Sequence, residues 1–439
     1  MQKFKGLLLT ATLLALGGCA VYSPHPLPQA AHFITPTHAK ESHPLTMVEV
    51  AQRAVLFNLD LEIERKKKNV SQTQAFQAGL LPNPQFSATI DHPTDNGPGL
   101  FNGYSYGLTF DLLALITHPA NAAIAEAKAK QAKEDLLWQE LQTVARARLL
   151  FVQSQMAGLR VSLLSKARTS LNFDMNSINA AMRNGDLAPD QADGDISVLL
   201  DIQSLLGAAQ RKELRSLGDL RALVNLAPDA PLDLQGLGAP EVLSEAATKQ
   251  ALKQVVAHRP DLIALRDGYD AQEEAVFKAV LSQFPNLQIG FTKASDTSNV
   301  HTTSFGVTMN LPIFDRGQGQ IAIERATREQ LRAEYQNRIN QTEGSAAQLR
   351  SENTVIADRI KILEPEIALL QARALNAAKA ARSGDLSAAS EMQFIQSWLN
   401  RQNEQIDLRE ALWTNVIALD TLLASPMQDT SSSDKDAPQ

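Results

Sequence analysis

Tyr106-Gly-Leu-Thr-Phe-Asp-Leu112 is echoed by Phe305-Gly-Val-Thr-Met-Asn-Leu311, 199 residues further on. Arg183-Asn-Gly-Asp-Leu187 and Arg382-Ser-Gly-Asp-Leu386 are also 199 residues apart, while Pro82-Asn83 and Pro285-Asn286 are 203 apart. Three matches in one order at nearly one offset indicate a duplicated unit of about 200 residues. The change of offset, from 203 to 199, places a loop four residues longer in the first copy. A unit of this size is domain-like and far longer than a solenoid repeat.

Outward from these motifs, each copy reads as helix, strand, strand, helix hairpin. Thr46-Met-Val-Glu49 has the capping-box spacing. Its helix is expected to break near Asn58–Asp60 and to stop before Pro82 and Pro84. Strands are expected over about 85–92 and 103–113. Pro119 suits the first turn of a helix, and the Ala-, Leu- and Gln-rich run to Met182 has no further proline. That helix would hold about 60 residues and span about 90 Å. Asn184-Gly185-Asp186 turns the chain, and a second helix returns to about Leu226. The second copy repeats the plan: a helix to about Leu281, strands about 287–294 and 301–311, a helix about 318–381 kinked at Pro365, a turn at Ser383-Gly384-Asp385, and a helix 387–424. The expected divisions are a signal segment 1–18, a tail 19–45, a first repeat 46–226, a linker 227–245, a second repeat 246–425 and a tail 426–439.

All four strands alternate. Phe86, Ala88 and Ile90 share one face of the first; Tyr104, Tyr106, Leu108 and Phe110 one face of the second. Leu287, Ile289 and Phe291, then Phe305, Val307, Met309 and Leu311, do the same in the second copy. Two readings fit an alternating sheet: half-buried in a soluble domain, or an oily-outside membrane barrel. The strand lengths approach the roughly 9–11 residues that cross a bilayer. Four strands cannot close a barrel, since even side-chain-filled barrels need about eight. Three chains pooling four strands each would give twelve. A helix hairpin of about 90 Å likewise exceeds what one domain core covers, whereas many hairpins side by side bury one another's apolar stripes.

The chain has 41 Lys+Arg against 48 Asp+Glu, a formal charge of −7, which gives no global attraction for nucleic acid. Its single cysteine excludes an internal disulfide and a Cys-rich metal site. Lys3, Lys5 and the apolar run Leu7–Leu16 form a secretory signal, too short for a mature membrane helix. Leu16-Gly17-Gly18-Cys19 resembles the bacterial lipoprotein box, which implies a covalent lipid on Cys19; a plain signal peptide with an incidental cysteine is the alternative. By the same resemblance, Ala20 rather than Asp after the cysteine favours the outer membrane.

Leu80-Leu-Pro-Asn-Pro-Gln-Phe86, Arg259-Pro-Asp-Leu262, Leu311-Pro-Ile-Phe-Asp-Arg-Gly317 and the two Arg-x-Gly-Asp-Leu turns, in this order and duplicated, resemble the outer membrane efflux protein (TolC) family over about 46–425. The resemblance implies a mixed α and β fold. In it, a homotrimer forms a 12-stranded outer-membrane β-barrel continuous with a long periplasmic α-helical barrel. It implies a passive exit duct for an inner-membrane pump, expected to be proton-driven, reached through a periplasmic adaptor protein. The family docks the adaptor on its helix-turn tips, here Arg183, Gly185, Asp186, Leu187 and Ala188, with Arg382, Gly384, Asp385, Leu386 and Ser387. A plain hairpin turn is the competing reading of these residues. The family also closes its periplasmic end with acidic residues past the tips. This sequence departs from that pattern, with Ser387-Ala-Ala-Ser390 before Glu391 and no pair of aspartates in the second copy. Asp193, Asp195 and Glu391 are the gate candidates, set against an ordinary acidic helix start.

Enzyme signatures such as His-Glu-x-x-His, Gly-x-Ser-x-Gly or a P-loop do not occur. His25, His32, His38 and His43 cluster in the tail; imidazole binds Zn, Cu and Ni, but their Pro-rich spacing defines no site, and a flexible spacer is the simpler reading. The Leu-Pro-Ile-Phe-Asp-Arg-Gly run leans towards the heavy-metal branch of the family. Three functions compete: a duct for tripartite efflux of small solutes, an exit channel for secreted polypeptides, and a lipid-anchored coiled-coil scaffold without a pore.

Overall fold

Thr46 starts the first helix by reciprocal capping. Its side chain accepts from the Glu49 backbone N–H at 3.2 Å, and Glu49 Oε2 accepts from the Thr46 N–H at 2.8 Å. The computed structural model describes residues 22–34, 43–94, 97–184, 189–383 and 385–425. Helix α1 (Met47–Phe57) ends at Asn58, which in turn caps α2 (Leu59–Ala78) by accepting from the Leu61 N–H at 3.0 Å. Strands β1 (Gln85–Asp91) and β2 (Gly103–Asp111) follow, then α3 (Leu112–Asn184) and α4 (Pro189–Leu223). The same order recurs: α5 (Glu245–His258), α6 (Pro260–Leu281), β3 (Leu287–Ser295), β4 (His301–Met309), α7 (Gln318–Ser383) and α8 (Ala388–Leu422).

The helix α3 begins earlier than Pro119 suggests. Asp111 Oδ1 accepts from the Ala114 N–H at 2.9 Å, so the end of β2 is itself the helix cap and Pro119 lies inside a helix of 73 residues. At 1.5 Å per residue that is about 110 Å. Helix α7 holds 66 residues and runs on through Pro365. The N-terminal segment also differs from a loose tail. Ile34 N–H donates to Asn225 O at 3.0 Å, Leu45 N–H to Asp233 O at 2.9 Å, and Gln235 N–H to Leu45 O at 2.8 Å. The segment before the first repeat and the linker after it are thus laced together, and Leu45 joins the core with Phe151 and Leu220.

The helices stack in two tracks beside the long ones. Helix α3 packs along α2, α4, α6 and α8, and α7 along α6 and α8. At the waist, where α4 ends, α2 begins. Asn58 Nδ2 donates to Leu223 O at 3.0 Å. The second copy does the same with other chemistry: Arg259, 3% exposed, reaches Leu422 O at 3.4 Å while its guanidinium grips Asp261 at 2.6 and 2.9 Å. Both terminating helices close with a left-handed residue, Asn225 (φ 56) and Ala424 (φ 48). Each pair of short helices therefore stacks head to tail, negative end against positive end.

The sheet has the order β1-β2-β3-β4, all antiparallel. Phe86 faces Leu108 in the first hairpin and Ile289 faces Val307 in the second. These pairs differ by 203 residues in one strand and 199 in the other, so the two hairpins share one register and differ in loop length.

Candidate channel wall and helix tips

Register sorts the sheet into two faces. One carries Phe86, Leu108, Phe291 and Phe305 in a row, flanked by the row Phe110, Ile289, Val307 and the pair Leu287–Met309. The other carries rows of small polar residues: Ser87, Gly107, Thr292, Ser304, and Gln85, Thr109, Gly290, Gly306. Burial along the inner strand β2 is inverted relative to a soluble sheet, while β1 and β4 are exposed along both faces. In β2 the apolar positions are exposed and the alternate small residues are covered; Phe86 is 72% and Phe305 61% exposed. Gly107 is one reason the polar face can close up, since a Cβ there would meet Thr292 Oγ1 at 3.0 Å and Ser87 Oγ at 3.1 Å. The sheet is also open at both edges, β1 and β4.

The helical layer is open at its sides too. Near the tips, α3, α4, α7 and α8 share one apolar cluster containing Leu164, Leu171, Ile202, Leu206, Ala374 and Met392. Charged pairs bind the copies to each other along α8: Lys212 to Glu410 at 2.7 Å, Arg148 to Asp420 at 2.8 Å, and Arg160 to Asp407. Outside these contacts, α7 exposes Val355, Ile362 and Leu369 at successive intervals of seven, and α4 exposes Leu200 and Leu214. Such a seven-residue apolar spacing is that of a coiled-coil seam.

The second tip is a short capped turn. Asp385 N–H donates to Ala380 O at 2.9 Å, Ser383 Oγ donates to Asp385 Oδ2 at 2.6 Å, and Ser387 caps α8 by accepting from the Ser390 N–H at 3.2 Å. Asp385 and Ser387 are exposed and Leu386 is half-buried. Arg183 is exposed at the end of α3. Gly185, Asp186, Leu187, Ala188 and Gly384 lie outside the described residues, as do the side chains of Arg382, Asp193 and Asp195. Glu391, in the first turn of α8, is 5% exposed and so sits within the protomer's own packing. Of the tail histidines, His25 and His32 are exposed, and His43 Nε2 lies 3.2 Å from Glu49 Oε1. His38 and Cys19 lie outside the described residues. Among the described residues, no three His, Cys, Asp or Glu side chains form a group able to hold a metal ion, and no helix is long and apolar enough to cross a membrane.

Compared with solved structures, the chain superposes along almost its whole length on outer-membrane channels. CusC, studied for folding and transmembrane channel formation, matches with TM-score 0.71 at 16% identity, covering 92% of this chain and 99% of that one. The outer-membrane channel OprN gives 0.74 at 15%, covering 93% and 99%. The Campylobacter jejuni outer membrane channel CmeC gives 0.73 at 14%, covering 92% and 94%. This chain has the TolC-like channel fold. No sequence-family profile and no curated protein matches it.

Within the channel fold, one cluster was hidden from the sequence. Arg259 stands at the start of Arg259-Pro-Asp-Leu262, but nothing local shows its reach. Its Nη1 donates to Thr342 Oγ1 at 2.6 Å, and its guanidinium lies 4.9 Å from the Trp138 ring centroid. Arg338 adds a contact to Asp261 at 3.3 Å. Helices α3, α6, α7 and α8 thus meet on one buried cation. The motif's Pro260 at the first helical position was the available signal, since it marks a break where a partner is needed.

Proposed function

We propose that the chain forms a passive outer-membrane duct of a tripartite efflux system, as a homotrimer whose twelve strands close one barrel above a helical tube. The observation that carries this reading is the exposed apolar face of the sheet. An apolar face left in contact with water would be costly, at about 25 cal/mol per Å². In lipid the same face is at home, and unpaired edges must then find partners. The exposed stripes on α4 and α7 support the same closure. The lipid on Cys19 would anchor the chain at the outer membrane. The adaptor would dock at the exposed tip residues Arg183, Asp385 and Ser387 and their counterparts. The cargo would be small toxic solutes delivered by the inner-membrane pump, heavy-metal cations among them.

Pseudo-symmetry sets the test. The ladder between the copies pairs Leu108 with Phe291; moved by the repeat offsets, it becomes Val307 on one chain facing Ala88 on the next. Within one chain those residues sit on opposite edges, three strand spacings or about 14 Å apart across the sheet and four residues offset along it, beyond disulfide reach. Oxidation of an Ala88→Cys/Val307→Cys protein should therefore give covalent trimers that resist boiling in detergent. A chain that stays monomeric under oxidation, and conducts no ions in planar bilayers, would refute the duct. Growth of a deletion strain on metal salts, dyes and antibiotics then assigns the cargo.

A further inference from the structure

The apolar face of the sheet carries a single charge, Lys293, in the strand β3. It faces Tyr106 on β2 and Thr303 on β4, and the next row holds Ile90, Tyr104, Ser295 and His301. The Tyr104 and Tyr106 rings stack at 6.0 Å with an interplanar angle of 4°. Lys293 is exposed, and no acidic residue lies on its face in the rows on either side. Because β3 pairs with β2 and β4 of the same chain, this position is not on an open edge of the sheet.

We propose that Lys293, with the Tyr104–Tyr106 pair and His301, receives the phosphate of a lipid headgroup in the outward-facing leaflet. The proposal rests on the duct reading. Its first support is vertical position. From the Leu287–Met309 row to the Tyr106–Lys293 row is six residues of β3. That is about 20 Å along the strand and about 15 Å along the membrane normal at the usual tilt. An outer-membrane apolar band is about 25 Å tall, and the helix side of the sheet can supply the rest. Leu81, Phe284, Leu311, Ile313 and Phe314 are all exposed at that end, Phe314 being 92% exposed. With the lower boundary set by these residues, the Lys293 row falls at the upper boundary, where headgroup phosphates lie. The second support is chemistry. A lysine ammonium can snorkel from apolar wall to interface, flanking tyrosines form an interfacial aromatic belt, and a charge-assisted bond to phosphate supplies the missing counter-charge.

The test uses the full-length protein in nanodiscs of phosphatidylcholine containing a minority of diphosphoryl lipid A. Native mass spectrometry counts the lipid A molecules that remain after extraction. Wild type should retain lipid A in preference to phosphatidylcholine, Lys293→Gln should lower that preference about tenfold, and Lys293→Arg should keep it. Lys253→Gln, on helix α5, should behave as wild type. If Lys293→Gln conducts normally and holds lipid A as well as wild type, the headgroup site does not exist. Loss of the preference in Lys293→Arg, whose charge is intact, overturns the proposal equally. If wild type neither inserts nor conducts, the duct reading falls first and carries this proposal with it.

Discussion

Asn58 and Leu223 are 165 positions apart in sequence, yet the Asn58 side-chain amide donates to the Leu223 carbonyl at 3.0 Å and joins two helices into one track. Arg259 and Leu422 repeat the arrangement in the second half at 3.4 Å. The same carbonyl at the end of a helix is met by an amide in one copy and by a guanidinium in the other. Asn58→Ala should cost about 1–2 kcal/mol, the usual value of a lost cap. Arg259→Ala should cost more, about 3–5 kcal/mol, because Asp261 is left buried without its bidentate partner. Chemical unfolding followed by circular dichroism would rank the two; equal losses would mean that the guanidinium cluster adds nothing to the cap.

The two faces of the sheet should respond oppositely to charge. Phe291→Lys places an ammonium in the middle of the apolar face, where about 2–4 kcal/mol is expected against barrel assembly. Thr292→Lys, one residue away on the polar face, should leave assembly intact and shift ion selectivity towards anions. Trimer yield on gels and reversal potentials in planar bilayers would read both. A Thr292→Lys protein that fails to assemble while Phe291→Lys succeeds would reverse the assigned faces.

Acid should act on two carboxylates with opposite sign. Hydrogen bonds from Arg401 at 2.6 Å and from Arg359 at 2.8 and 2.9 Å hold the Glu404 pKa below its ordinary 4.5. Its contribution is then complete above pH 4.5 and is lost as pH falls through the lowered value. Burial, with help from Glu134 and Asp270 and against Arg266 and Lys130, pushes Asp267 above its ordinary 3.8. There stability is lost as pH rises from 3.8 through the raised value. Glu404→Gln should flatten the stability curve below pH 4.5. Asp267→Asn should stabilise only above its window. Melting curves from pH 3 to pH 7 would show this; a destabilised Asp267→Asn at neutral pH would contradict the assignment.

Asn353 is 0% exposed, and neither end of its side-chain amide has a hydrogen-bond partner. It interrupts an apolar seam on α7 that includes Ala346, Leu363, Ile367 and Ala374. A buried polar group in that position costs about 1–3 kcal/mol and in coiled coils fixes register. Asn353→Leu should raise the melting temperature. A drop instead would mean that the site cannot accept the branched side chain.

The proposed docking at the tips can be separated from folding. Ser387→Ala removes the α8 cap, worth about 1 kcal/mol, whereas Asp385→Asn keeps the turn and alters only charge. If the adaptor reads charge, Asp385→Asn should weaken its capture on purified protein while the melting temperature stays put. Unchanged capture in both variants would move the docking surface away from this turn.

Much of this architecture could be read from residue order, because it rests on short-range rules. Alternation marked the strands, Thr46 with Glu49 the first helix start, and the repeated Gly-Asp-Leu turns the hairpins. What escaped depended on residues distant in the chain. Pro119 suggested a helix start, but Asp111 at the end of β2 starts it earlier. The N-terminal tail reads as Pro- and His-rich spacer, yet Ile34 and Leu45 find backbone partners near 225–235. Glu391 reads as a gate candidate or as an ordinary helix-start acid, and its burial among the hairpin helices is invisible to spacing.

The helix-end hydrogen bond of each clamp closes within its own half of the chain, 58 with 223 and 259 with 422, and only Arg259 also leans on the other half, over the Trp138 ring. For a polypeptide delivered N-terminus first, the earlier half can therefore seal its waist before the later half has emerged. What must wait is the pairing of β2 with β3 and the docking of α6 and α8 on α3. Maturation would then proceed in two stages, the first half sealing its own helix junction and the second half zippering onto it afterwards.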